Sequence, residues 1–169
     1  MKNQEERVFI GQYESTFIFK AEGRLTQKSL WNAKTAIKQC TENDAIAYLL
    51  VDLTRCSYMD STILGVLARW AIAFAKTHQT LPFLVGLKGN PMESIFHRMN
   101  LATLFHASDA LETVEKSQLS QLAFSEQFSK EEYAEHLLSA HETLAELSPQ
   151  NASEFAAVIQ CLKAELNRE

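Results

Sequence analysis

The segment Ala45-Ile-Ala-Tyr-Leu-Leu-Val-Asp-Leu53 constrains the fold more than any other part of this chain. It is apolar almost throughout and too short for a lone helix, which is the pattern of a strand covered on both faces. Leu81-Pro-Phe-Leu-Val-Gly-Leu87 is a second run of the same kind. Its proline is tolerable because it falls at the first residues of the strand. Between the two, Ile63, Leu67, Trp70 and Phe74 recur at helical spacing, with Leu64 and Ala71 beside them. A strand, a helix and a second strand in that order imply parallel pairing through a crossover, and hence helices on at least one face of a sheet.

The flanking segments extend this unit. Val8–Tyr13 and Phe17–Ala21 are short β-rich runs separated by Glu14-Ser15-Thr16, an antiparallel pair that Gly23 ends. Leu30, Ala33, Ile37 and Cys40 then fall on one helical face. After the second buried strand, Asn90-Pro91-Met92-Glu93 reads as a helix start, with Asn as cap, Pro at the first position and Glu at the third. Leu104-Phe105 touches a short edge strand, and Ser108-Asp109 opens one more helix. The expected order is ββαβαβαα over residues 5–116, an α/β domain with a mixed sheet covered by helices.

Residues 117–128 read as a connector that packs onto this domain, through scattered apolar residues such as Leu119 and Leu122. Residues 129–169 read as an amphipathic helical hairpin. Ser129-x-x-Glu132 is a capping-box pattern, followed by the stripe Tyr133, Leu137, Leu144 and Leu147. Ser148-Pro149 breaks the helix, and Phe155, Val158, Ile159, Leu162 and Leu166 form a second stripe. Neither helix can bury its stripe alone, so the pair packs on itself, on the domain or on a partner. Charge divides along the same line. Residues 1–114 carry 12 Lys/Arg and 11 Asp/Glu, net +1, whereas residues 115–169 carry 4 and 10, net −6. An acidic tail repels phosphates, so nucleic acid is not an expected partner.

Other function classes lose ground on composition. No apolar run approaches the ~20 residues of a membrane helix, and the first residues lack the apolar core of a secretion signal, so the expected location is cytoplasmic with no membrane insertion. Cys40, Cys56 and Cys161 are sparse and odd in number, the pattern of reduced residues rather than a disulfide framework. His136 and His141 lie five apart and do not share a helical face as paired metal ligands do, so neither metal nor cofactor is expected. Gly-x-Ser-x-Gly, the phosphate-binding Gly-rich loops and a histidine near any nucleophilic serine are not indicated, and no enzymatic activity is expected.

The segment that carries chemistry is Asp60-Ser61-Thr62, where the buried strand gives way, through residues 54–59, to the central helix. Loops after strand carboxyl ends are where open α/β sheets bind ligands. A helix start offers unpaired amide donors and a partial positive charge, which would hold a phosphate on Ser61. Such a phosphate adds about −1.5 to −2 charges beside Asp60, enough to spoil a protein contact. The same three residues are also what any helix N-terminus wants, so the pattern alone leaves cap and switch both open.

Val51-Asp52-Leu53 followed by Met59-Asp60-Ser61-Thr62-x-Leu64-Gly65-Val66-Leu67 resembles the signature of STAS domains of the anti-sigma factor antagonist type. Gly23-Arg24-Leu25, Leu101-x-x-Leu104-Phe105 and Ala110-Leu111 resemble further segments of that family. The resemblance implies a STAS-like fold and a phospho-switched binding module. Ser61 would be the phosphorylation site, with Thr62 the second choice, and Asp60, Ser61, Thr62 and Ile63 would form the partner-binding segment. The implied partners are an anti-sigma factor serine kinase of the histidine-kinase-like ATPase type and a PP2C-type phosphatase. The unmodified form would bind the kinase, and phosphorylation would release it. Two positions depart from the pattern: Ile63 stands where the family often has Gly, and Thr26 where it often has Asp. The alternative keeps the fold without the switch, as a structural STAS subunit of a larger assembly such as a lipid-transport complex.

Overall fold

The computed structural model describes residues 5–30, 33–109, 118–123 and 128–168. Strands β1 (Arg7–Tyr13) and β2 (Thr16–Leu25) pair antiparallel across the turn at Glu14. A 3-10 turn (Gln27–Leu30) and helix α1 (Ala33–Glu42) lead to β3 (Tyr48–Met59), helix α2 (Ser61–His78) and β4 (Phe83–Val85). Helix α3 (Glu93–Arg98), a 3-10 turn (Ala102–Leu104), β5 (His106–Ser108) and β6 (Ser120–Gln121) follow. Helices α4 (Lys130–Glu146) and α5 (Pro149–Leu166) end the chain. The sheet runs β5-β4-β3-β2-β1-β6, parallel from β2 to β5 and antiparallel at β1 with both of its neighbours. This is the mixed α/β architecture expected from the sequence.

The β3 run is covered on both faces, as its composition requires. Leu49, Val51 and Leu53 join the main core with Phe19, Ile63, Leu67 and Phe74, while Leu50 packs with Ile18 and Val85 on the opposite face. Trp70 of α2, 3 % exposed, meets Phe19 and Phe17 edge-on with ring centroids 5.4 and 6.1 Å apart, a favoured aromatic geometry. Cys40 and Cys56 are buried and Cys161 is exposed.

Several expected boundaries shift, set by neighbours distant in the chain. The strand expected to end at Leu53 runs on to Met59, because β2 stays alongside it as far as the Leu25–Met59 pair. Correspondingly, β2 passes through Gly23, whose φ of 79° sits at a register shift against β3, and ends at Leu25. The run expected at 81–87 pairs only over Phe83–Val85. That short strand leaves β3 carbonyls open, and Asn90 supplies their donors: its Nδ2 reaches Leu53 O at 2.9 Å and Cys56 O at 3.0 Å. The Asn90-Pro91 helix start is therefore corrected to Glu93, with Asn90 serving as a clasp on β3. The helix expected after Asp109, the Ala110-Leu111 match and Trp31 lie outside the described residues. The connector contributes β6, whose pairing with β1 brings Gln118 O to 2.7 Å from where a Cβ on Gly11 would sit.

The hairpin helices start where the sequence places them. Ser129 and Glu132 close a reciprocal capping box at 3.0 and 3.1 Å, and Ser148 caps α5 from Asn151 N at 3.1 Å, with Pro149 at the first turn. The pair seats on α2 and on the end of α3. Leu144 and Phe155 enter the main core, and Asn151, 1 % exposed, donates to Met99 O and Leu144 O at 2.9 Å each. Arg98–Glu154 at 2.8 Å and Asn100 to Leu147 O at 3.1 Å close the rim.

Candidate functional site

Strand β3 delivers the chain straight into α2 at Asp60, whose extended backbone (φ −76°, ψ 170°) and short carboxylate suit the cap position. Oδ1 accepts from Ile63 N at 2.9 Å, and Oδ2 accepts from Gln27 N at 3.0 Å, tying the helix start to the turn after β2. Asp60 thus fixes the orientation of the next residue. Ser61 is the first residue of α2 and is half-buried. Thr62 and Ile63 turn inward, 4 % and 0 % exposed, whereas Asp60 and Ser61 are half-buried, so the four residues do not share one surface. Ile63 in place of a glycine is accommodated because its side chain goes into the core rather than into the turn.

What lies over Ser61 is α4. Ser61 Oγ is 2.9 Å from His141 Nε2, and His141 Nδ1 is 2.7 Å from Leu137 O. A carbonyl only accepts, so Nδ1 carries the proton; in the neutral ring Nε2 then accepts, and the Ser61 hydroxyl donates to it. One turn along α2, Gly65 meets the Ala140 backbone: a Cβ there would lie 2.2 Å from Ala140 O. Glycine is what lets the two helices approach this closely. Arg69, a further turn on, donates to Ser139 Oγ. Burial first and the Asp60 charge second push the Tyr133 phenol up.

This arrangement corrects one expectation. The sequence indicates no histidine near Ser61, and His141 is there. His141 falls four residues after Leu137 and three before Leu144, on the stripe that seats the helix; that placement is legible in the sequence, and its meeting with Ser61, eighty positions away, is not. His136 lines a separate groove of about 610 Å³ between α1, α2 and α4, together with Lys34, Arg69, Trp70, Glu132 and Glu135. Burial, then Arg69, then Lys34, holds the His136 pKa below its ordinary value.

At Thr26, where the family resemblance leads one to expect Asp, a carboxylate arrives from elsewhere. Glu6 accepts from Thr26 N at 2.7 Å and from Thr26 Oγ1 at 3.2 Å. Among the described residues no cluster of His, Cys, Asp and Glu could hold a metal ion, and no helix is long and apolar enough to cross a membrane.

Residues 9–115 match the family model of the STAS domain. The chain belongs to the STAS domain family. A search of the curated proteins finds no match. The family is one of protein-interaction and regulatory modules, and the matched segment contains Asp60 and Ser61 but stops before α4 and α5.

Proposed function

We propose that the chain is a phospho-switched binding module of the anti-sigma factor antagonist type, with Ser61 as the acceptor. In this reading the unmodified form binds an anti-sigma factor that is also a serine kinase, and a PP2C-type phosphatase restores that form. The observation that carries the proposal is the position of Ser61: a half-buried hydroxyl on the first residue of an eighteen-residue helix, held there by the Asp60 cap. In the transfer, the γ-phosphoryl group of ATP passes to Ser61 Oγ, its bond to ADP breaks, and the hydroxyl proton leaves to a base on the kinase. The product phosphate sits at the positive end of α2, where first-turn amides lack intrahelical partners. Its added charge of about −1.5 to −2 beside Asp60 opposes a tight protein contact. Phosphopeptide mapping of the chain isolated from its own cells tests the site. One phosphate on Ser61, lost in Ser61→Ala, is the expected result; phosphate on another residue that survives the substitution refutes the assignment.

The Ser61–His141 hydrogen bond favours a second reading, in which Ser61 holds the hairpin and the chain is a non-switched subunit of a larger assembly such as a lipid-transport complex. Purification from cells then yields transporter subunits, not a kinase, and no phosphate on Ser61. The same pair places a hydroxyl against a base, as a hydrolase does. Turnover of an activated ester by the purified chain, abolished in both Ser61→Ala and His141→Ala, would replace a binding function with an enzymatic one.

A further inference from the structure

Resting on the reading of Ser61 as the switch, we propose that the α4–α5 hairpin is an intramolecular occupant of the docking face. A kinase or binding partner reaches Ser61 only when the hairpin lifts.

The contacts fall on Ser61 and on the face of α2 that continues from it. His141, 6 % exposed, bonds Ser61, and the Ala140 backbone lies against Gly65 with no room for a methyl group. Ser139 accepts from Arg69, so α4 tracks α2 over its first two turns and beyond. A phosphate on Ser61 brings three oxygens into a gap that now holds one hydrogen bond of 2.9 Å. The helix and the phosphate cannot both occupy that position. Access for a kinase, and later for a phosphatase, therefore requires α4 to move.

The two helices pack on each other outside the sheet, held by Leu144 and Phe155 in the core, by the buried Asn151 amide on Met99 O and by exposed rim contacts such as Arg98–Glu154, with 44 % and 37 % exposure. Elements of this kind open below the free energy of global unfolding.

The test uses the full chain with Ser61→Cys and Cys161→Ser, which leaves Cys40 and Cys56 buried and places one reporter thiol under α4. Its rate of maleimide labelling is compared with that of the same protein carrying Ala140→Arg, whose long charged side chain has no room at a position only 1 % exposed. Labelling at least about tenfold slower in the parent is expected. Equal rates overturn the proposal. Amide exchange of the unsubstituted chain decides the matter independently if Ala140→Arg fails to fold. Amides of α4 and α5 exchanging about tenfold or more faster than those of β2 and β3 support a cover; exchange of hairpin and sheet together as one unit makes the hairpin permanent core and refutes it. Neither readout involves phosphate. An unphosphorylated Ser61 in cells would sink the switch while leaving the cover in place, and the converse result would do the reverse.

Discussion

Replacing Gly65 with alanine separates a docked hairpin from an undocked one by the sign of its effect. In an isolated helix, alanine is better than glycine by about 1 kcal/mol, so α2 alone gains from the change. With α4 in place, the new Cβ lies 2.2 Å from Ala140 O, 2.6 Å from its carbonyl carbon and 2.8 Å from its Cα. These are backbone atoms, which cannot swing aside as the end of a side chain can. Restoring ordinary contact at about 3.5 Å requires the helices to part by roughly 1 Å. That motion stretches the 2.9 Å Ser61–His141 bond beyond hydrogen-bond range, with a loss of about 1 kcal/mol. It also unseats Leu144 from the core, in the range of about 1–3 kcal/mol typical of overpacking. After the helix gain is subtracted, Gly65→Ala should destabilise the chain by about 1–3 kcal/mol. Urea unfolding of the two proteins measures the sum, and amide exchange at α4 locates it, with protection there falling about tenfold or more. A Gly65→Ala protein at least as stable as the parent, with α4 equally protected, would refute the close approach of the two helices.

Asp60→Ala removes the acceptor for both Ile63 N and Gln27 N and should cost about 2 kcal/mol in urea unfolding, while Asp60→Asn, which keeps an acceptor oxygen at the cap, should recover part of that loss. Stability should fall as pH drops below about 6.5. The folded His136 pKa is lowered by burial, Arg69 and Lys34, so in that window the unfolded chain binds more protons and stability rises with pH. Lys38 of α1 and the carboxylates Glu132 and Glu135 of α4 share the groove, and His136→Gln should flatten this part of the pH profile measured by thermal unfolding. Native-state alkylation should modify Cys161 alone, because burial pushes Cys40 up to about 12 and Cys56 up to about 11; mass mapping that finds either one labelled as fast as Cys161 contradicts their burial.

Where one physical rule dominated a segment, the sequence was legible. The Ala45–Leu53 run is a strand covered on both faces from Leu49 on, and Ser129, Glu132 and Ser148 announce their helices by satisfying amide donors locally, with Pro149 lacking the donor altogether. The boundaries that moved depend on neighbours distant in the chain. β3 runs to Met59 because β2 lies beside it, and Asn90, whose Oδ1 still accepts from Met92 N, gives its amide to β3 carbonyls while the helix starts at Glu93. The candidate site divides in the same way. Asp60 and Ser61 were readable as a helix start, since cap geometry is local. His141 was not, because its meeting with Ser61 spans eighty positions and depends on how the hairpin docks. Gly65 carried a hint of that docking, since a glycine inside a helix costs about 1 kcal/mol and needs a reason; only the Ala140 backbone supplies one.

The central claim is that the state of Ser61 decides whether the chain holds its partner. Affinity capture from the native cells with Ser61→Ala and Ser61→Asp as parallel baits, followed by mass spectrometry, addresses it most directly. The alanine bait should retain a histidine-kinase-like serine kinase, and the aspartate bait should lose it by about tenfold or more. Equal capture of the same partner by both baits would contradict the switch at Ser61.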